Sequence, residues 1–211
     1  MTTNVKHQVV VIEIWNAITH GVGFIASVAM FVLLVRRGLN APRPALLALT
    51  IYGLTLMLLY LASTLYHCLS LTRARRVFQI FDHCNIFLLI AGTYTPYCLL
   101  AIKGSFGLWM CLAIWGLALA GIALHIFSGA RHQKLETTIY VVMGWLCLMA
   151  MGPLYTHLGT AGFSLLVAGG VTFTLGALIY SFPKTPYLHL IWHFFVMLGT
   201  TLMFCSIYWF I

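Results

Sequence analysis

Residues 45–67 read ALLALTIYGLTLMLLYLASTLYH: no charged side chain, then a histidine, His67, at the very end. An α-helix needs about 20 such residues to cross ~30 Å of hydrocarbon, so this stretch is a membrane span. Working outward, six more stretches have the same character: 15–35, 82–102, 107–128, 138–156, 161–182 and 188–210. The breaks between them carry charge, glycine and proline. Arg36-Arg37-Gly38-Leu39-Asn40-Ala41-Pro42-Arg43-Pro44 follows the first. Arg73, Arg75 and Arg76 precede the third, and Lys103-Gly104-Ser105 the fourth. Arg131-His132-Gln133-Lys134 follows the fourth. His157-Leu158-Gly159-Thr160 is a weak break, and Pro183-Lys184-Thr185-Pro186 a strong one. The expectation is an all-α polytopic membrane protein, with residues 1–211 forming a single domain of seven transmembrane helices and no separate soluble domain. Residues 1–12 lack the basic, apolar and small-residue pattern of a cleaved signal, so the first span is expected to stay in the protein.

Composition agrees. Apolar residues make up 62% of the chain, charged residues 7%, and mean hydropathy is +1.01. A soluble domain does not tolerate that surface. The net charge of +8 raises nucleic acid as a partner, but the basic residues are scattered through short interhelical loops, where they orient helices. No nucleic-acid role is expected. Seven Lys and Arg fall on the N-terminal side (Lys6, Arg73, Arg75, Arg76, Arg131, Lys134, Lys184) and four on the other (Arg36, Arg37, Arg43, Lys103). The excess puts the N-terminus in the cytoplasm and the C-terminus outside. The six cysteines lie mostly in apolar runs without CxxC spacing and read as small buried residues, not disulfides.

The chain has only three acids, Glu13, Asp82 and Glu136. Ionisable groups near hydrocarbon are expensive, which makes them functional candidates. The second span descends to the N-terminal side and ends at His67. The third rises from that side, starting at Asp82. The seventh also starts there, with His189 and His193 one turn apart on one helix face. Three imidazoles and a carboxylate at one depth form a candidate metal site. Imidazoles suit zinc, and copper, nickel and iron take the same donors. Three His leave a position for water, whose pKa zinc lowers toward ~7. Asp82 then either takes the water's proton or is the fourth ligand. Ser63, one turn before His67, holds the water, polarises a carbonyl or orients Asp82; alternatively it bonds back to its own helix. His83 is about 100° round the helix from Asp82 and is expected to face elsewhere. Tyr66, Tyr94 and Tyr97 read as belt or core aromatics. Glu13 and His20 acquire no role.

These residues lie in motifs that resemble the hemolysin III family, the bacterial branch of the progestin and adipoQ receptor superfamily. The matching pieces are Glu13-Ile14-Trp15-Asn16-Ala17-Ile18-Thr19-His20-Gly21, Ala62-Ser63-Thr64-Leu65-Tyr66-His67, the run from Phe81-Asp82-His83 to Thr95-Pro96, and His189-Leu190-Ile191-Trp192-His193. The resemblance implies a seven-helix fold with the N-terminus inside and a zinc ion held by His67, His189 and His193. It implies that Asp82 reaches the zinc through water, with Ser63 one turn before the first ligand. For function it implies a ceramidase-like hydrolase of lipid amides or esters in the bacterial inner membrane, with membrane lipids as surroundings and substrate. A haemolytic pore or transporter is the main alternative, although a conducting path needs a polar stripe that the far halves of these helices lack. A membrane-homeostasis sensor with structural zinc is another. A retinal protein is excluded because the seventh span has no lysine.

Overall fold

Helices α1 (Thr3–Leu39) and α2 (Arg43–Cys68) pack side by side and are joined by a tight turn. Then come α3 (Arg75–Pro96), a π-helical turn (Tyr97–Ile102), α4 (Gly104–Ser128), α5 (Gln133–Trp145), a 3-10 turn (Leu146–Ala150), α6 (Met151–Ser181) and α7 (Pro186–Phe210). This computed structural model describes residues 3–128, 133–181 and 186–211. Arg131, His132 and Lys184, and the side chains of Lys6 and His7, lie outside the description. No strand occurs among the described residues. The chain is all-α, and six helical stretches are long and apolar enough to cross a membrane: Gln8–Leu39, Arg43–Cys68, Arg75–Ile102, Gly104–Ser128, Lys134–Ser181 and Tyr187–Phe210.

Two boundaries differ from the sequence reading. α1 starts at Thr3 rather than near residue 15, because nothing before Gly21 breaks a helix. α3 starts at Arg75, so Asp82 stands two turns inside it instead of at its beginning. The count differs as well. Six stretches, not seven, meet the length and apolarity criteria, because residues 134–181 run on as one 48-residue helical stretch. That stretch is not straight. Gly159 has φ +63°, a left-handed conformation that costs glycine nothing. On either side of it the chain folds back: the Trp145 indole N–H donates to Thr174 Oγ1 at 2.9 Å. Each of these two residues is about 15 positions from Gly159. The weak break read at His157-Leu158-Gly159-Thr160 is therefore where the backbone reverses.

The 3-10 turn between α5 and α6 leaves backbone groups that a helix would have paired. Tyr94 of α3 satisfies them. Its hydroxyl is shared between the carbonyls of Met143 (2.9 Å) and Gly144 (2.8 Å) and accepts from the Cys147 N–H (2.8 Å). Irregular backbone at membrane depth is tolerated only with such internal partners.

Tyr52, Leu56, Phe87 and Ile114 are fully buried at the centre of the bundle. Gly92 lets α3 lie directly on α2: a Cβ there would overlap the side chain of Thr55. Close helix contact through small residues is the usual packing mode in lipid. Across the bundle the hydroxyls of Tyr60 and Thr200 meet at 2.6 Å and tie α2 to α7. The outer face is apolar, with Ile25, Trp109, Leu119, Phe127 and Trp209 all more than half exposed. An apolar surface of that extent belongs against lipid. All six cysteines are free.

Candidate metal centre

His67 occupies the last turn of α2, while His189 and His193 lie in the first two turns of α7. Their ligating nitrogens lie within 4.8 Å of one another. His67 and His193 are buried and His189 is half-buried. The Nε2 atoms of His67 and His189 are 3.1 Å apart. Two nitrogens bound to one tetrahedral ion at ~2.0–2.1 Å lie about 3.3 Å apart, so the spacing suits a shared cation.

Hydrogen bonds at the far side of two rings decide which nitrogen faces inward. Glu13 of α1 holds one oxygen 2.6 Å from His67 Nδ1. Its other oxygen accepts from Arg75 Nη2 at 3.0 Å, and the same Nη2 is 3.3 Å from the Tyr66 hydroxyl. A carboxylate clamped by a guanidinium accepts, so His67 Nδ1 donates and its Nε2 presents a lone pair. The Thr19 hydroxyl gives its proton to the Asn16 carbonyl at 2.9 Å. It must therefore accept from His193 Nδ1, 3.1 Å away, and His193 Nε2 is likewise a lone pair. Metal-binding histidines are oriented by bonds of this kind at the non-ligating nitrogen. The donor set therefore fits a metal ion. His20 stacks on His193, ring centroids 3.5 Å apart and planes 11° from parallel. Neither of its nitrogens, nor Asn16 Oδ1, has a partner among the described residues.

An elongated cavity runs away from this cluster. His189 and Asp82 line it at one end, Ile102 and Met203 at the other. The 20 residues from Asp82 to Ile102 correspond to a rise of about 30 Å along the helix. Most of the wall is apolar, with Ile86, Phe173, Trp145 and Trp192 among the lining residues.

The structure brings His67, His189 and His193 together as their spacing implied. Asp82 is not among the atoms that converge on that point. It faces the cavity instead, Oδ2 3.9 Å from His83 Nδ1. Ser63 is buried one turn from His67, and no hydrogen bond from it back to its own helix occurs among the described residues. His83 was expected to face elsewhere. It lines the same cavity as Asp82, so the cavity takes in more than one face of α3. Tyr94 and Tyr97 line it as well. Glu13 and Thr19 were missed as supports of the site. Their signal was present: Glu13, Asn16, Thr19 and His20 follow a helical period on an otherwise apolar span, which is one polar face of α1.

A sequence profile described as "Haemolysin-III related" matches residues 9–204. The chain belongs to this family. Hemolysin-3 of Bacillus cereus is 42% identical over 200 residues, covering 94% of this chain and 91% of its own. The Hemolysin-3 homolog of Bacillus subtilis (strain 168) is 43% identical over 193 residues and 91% of each chain. The human Monocyte to macrophage differentiation factor is a more distant relative, 27% identical over 164 residues that span 75% of this chain and 68% of its own. Together with six apolar helices, these relatives make the chain a multi-pass membrane protein.

The Glu13 bond carries a prediction. Glu13→Gln keeps the shape but offers His67 a neutral partner. Metal affinity is expected to fall by about 10–100-fold, the usual effect of losing such an orienting bond. Competition against a chromogenic chelator measures it; unchanged affinity would show that the carboxylate does not tune the site.

Proposed function

We propose that this protein is a zinc-dependent hydrolase of lipid amides or esters in the bacterial inner membrane. The observation that supports this most is the position of His189, which belongs both to the histidine cluster and to the wall of the long apolar cavity. A lipid whose acyl chain fills the cavity has its polar linkage at the cluster. In this reading the chain crosses the membrane seven times, with the reversal at Gly159 dividing residues 134–181 into two spans. The N-terminus, and with it the site, is on the cytoplasmic side by the distribution of Lys and Arg.

His67, His189 and His193 hold the zinc, which when bound polarises a carbonyl and makes water nucleophilic at neutral pH. Glu13 and Thr19 keep two of the rings turned with Nε2 inward. The apolar wall binds the acyl chain and excludes bulk water, which strengthens every polar contact at the cluster. Asp82, at the same end of the cavity, takes the proton released from the attacking water and returns it to the leaving amine or alkoxide. Ser63 has a hydroxyl with no other engagement among the described residues, and it donates to the developing oxyanion.

Metal removal tests the reading. Protein stripped by a membrane-permeant chelator is expected to lose at least about 100-fold of its activity on an N-acyl or ester lipid, and to regain it with zinc. Activity that survives stripping, or zinc-loaded protein that cleaves neither lipid class, counts against it. Zinc-free ion flux in liposomes would favour a pore instead.

A further inference from the structure

Of the three acids in the chain, Glu13 holds His67 and Asp82 faces the cavity near His189. The third, Glu136 on α5, is buried more deeply than either, with 1% of its side chain exposed. One of its oxygens lies 3.0 Å from Nδ1 of His125, itself buried in α4. The other, Oε1, is buried and has no partner among the described residues. The His83 ring lies parallel to that of His125, centroids 5.1 Å apart. Its Nδ1 donates to the Gln79 carbonyl at 2.8 Å, and its own carbonyl accepts from the Tyr140 hydroxyl at 3.2 Å. Glu136, His83 and Tyr140 line the same cavity as His189 and Asp82.

One oxygen is engaged, and the other is buried without a partner among the described residues, in a side chain that lines the cavity; such acceptors are costly enough to be rare. The group that completes it must donate a hydrogen bond and come from the cavity. A cation is a poor choice, since it would have to shed its water to enter an apolar chamber. A neutral hydroxyl completes the acceptor without that penalty.

We propose that Glu136, held by His125 beside His83, is a second polar subsite of the cavity that recognises a hydroxyl on the head of an acyl lipid. This rests on the lipid reading of the cavity. It adds a selectivity that the histidine cluster alone would not give: lipids with the same chain and linkage are separated by whether they carry an alcohol.

The test uses two lipids that differ by one hydroxyl, N-oleoylethanolamine and N-ethyloleamide. Each is titrated into purified zinc-loaded protein in nanodiscs, and binding is followed by fluorescence of Trp145 and Trp192, both in the cavity wall. Wild type is expected to favour the hydroxyl lipid by about 10-fold or more, the size of one hydrogen bond to a charged buried group. In Glu136→Gln that preference is expected to shrink to about 3-fold or less, with zinc content and affinity for N-ethyloleamide unchanged. Equal binding of the two lipids by wild type overturns the proposal whether or not the variant folds. So does a full preference retained in Glu136→Gln, and so does failure of wild type to bind either lipid. Discrimination without turnover of either lipid leaves the subsite standing and removes the hydrolase reading alone.

Discussion

His193→Ala is expected to leave the purified protein without metal, with affinity lower by more than about 100-fold. The figure is a lower bound, since losing even an orienting bond outside the ligands costs about 10–100-fold. The ring is the most deeply buried of the three, held by Thr19 at Nδ1 and by the stacked face of His20. No other side chain among the described residues stands ready to replace it in the converging set. His67→Ala should behave alike, and the double variant should be little worse than either single one, because a two-ligand remnant no longer closes on an ion. His157 is the control. It is exposed, near the reversal at Gly159, and its alanine variant should retain full metal. Metal content after dialysis against chelator, measured by mass spectrometry, decides the matter. Stoichiometric metal in His193→Ala would mean that the three rings are packed together for some other reason.

That cluster could be read in the sequence because each ligand reported its depth independently. His67 ends an apolar run, and His189 and His193 begin one, spaced by one helical turn. Depth and face follow from helix geometry alone. What failed to show were contacts set by how helices pack. Glu13 and His67 are 54 positions apart, and their 2.6 Å contact depends on the register of α1 against α2. His125 and Glu136 are close in sequence, but they meet only after the chain turns between α4 and α5. The face of His83 was misjudged for a related reason. Counting 100° per residue gives direction, but not the width of the space that the neighbouring helices leave open. The count of spans turns on the 134–181 run, where the break at Gly159 carries no Lys, Arg, Asp or Glu. The glycine's φ of +63° carries the turn that proline and charge carry at the other breaks.

Asp82→Asn is the sharper test of chemistry, because it separates holding the metal from using it. The amide has the shape of the carboxylate and cannot take a proton at neutral pH. Lipid turnover is expected to fall by about 10²–10⁴-fold, the contribution of a positioned acid–base group. Metal content should not change, because Asp82 is not among the atoms that converge with His67, His189 and His193. The two readouts together discriminate between the roles open to this residue. Loss of metal along with activity would make Asp82 a direct ligand and the site a closed one, as expected of structural zinc. Retention of both would remove Asp82 from the mechanism and leave Glu136, one oxygen of which is engaged by His125, as the other carboxylate lining the cavity, since Glu13 is engaged by His67 and Arg75. In a protein with three acids, a hydrolase that works without Asp82 would have to find its base in Glu136 or among the histidines. The first histidine to examine would be His20, whose two nitrogens have no partner among the described residues and whose ring already lies against His193.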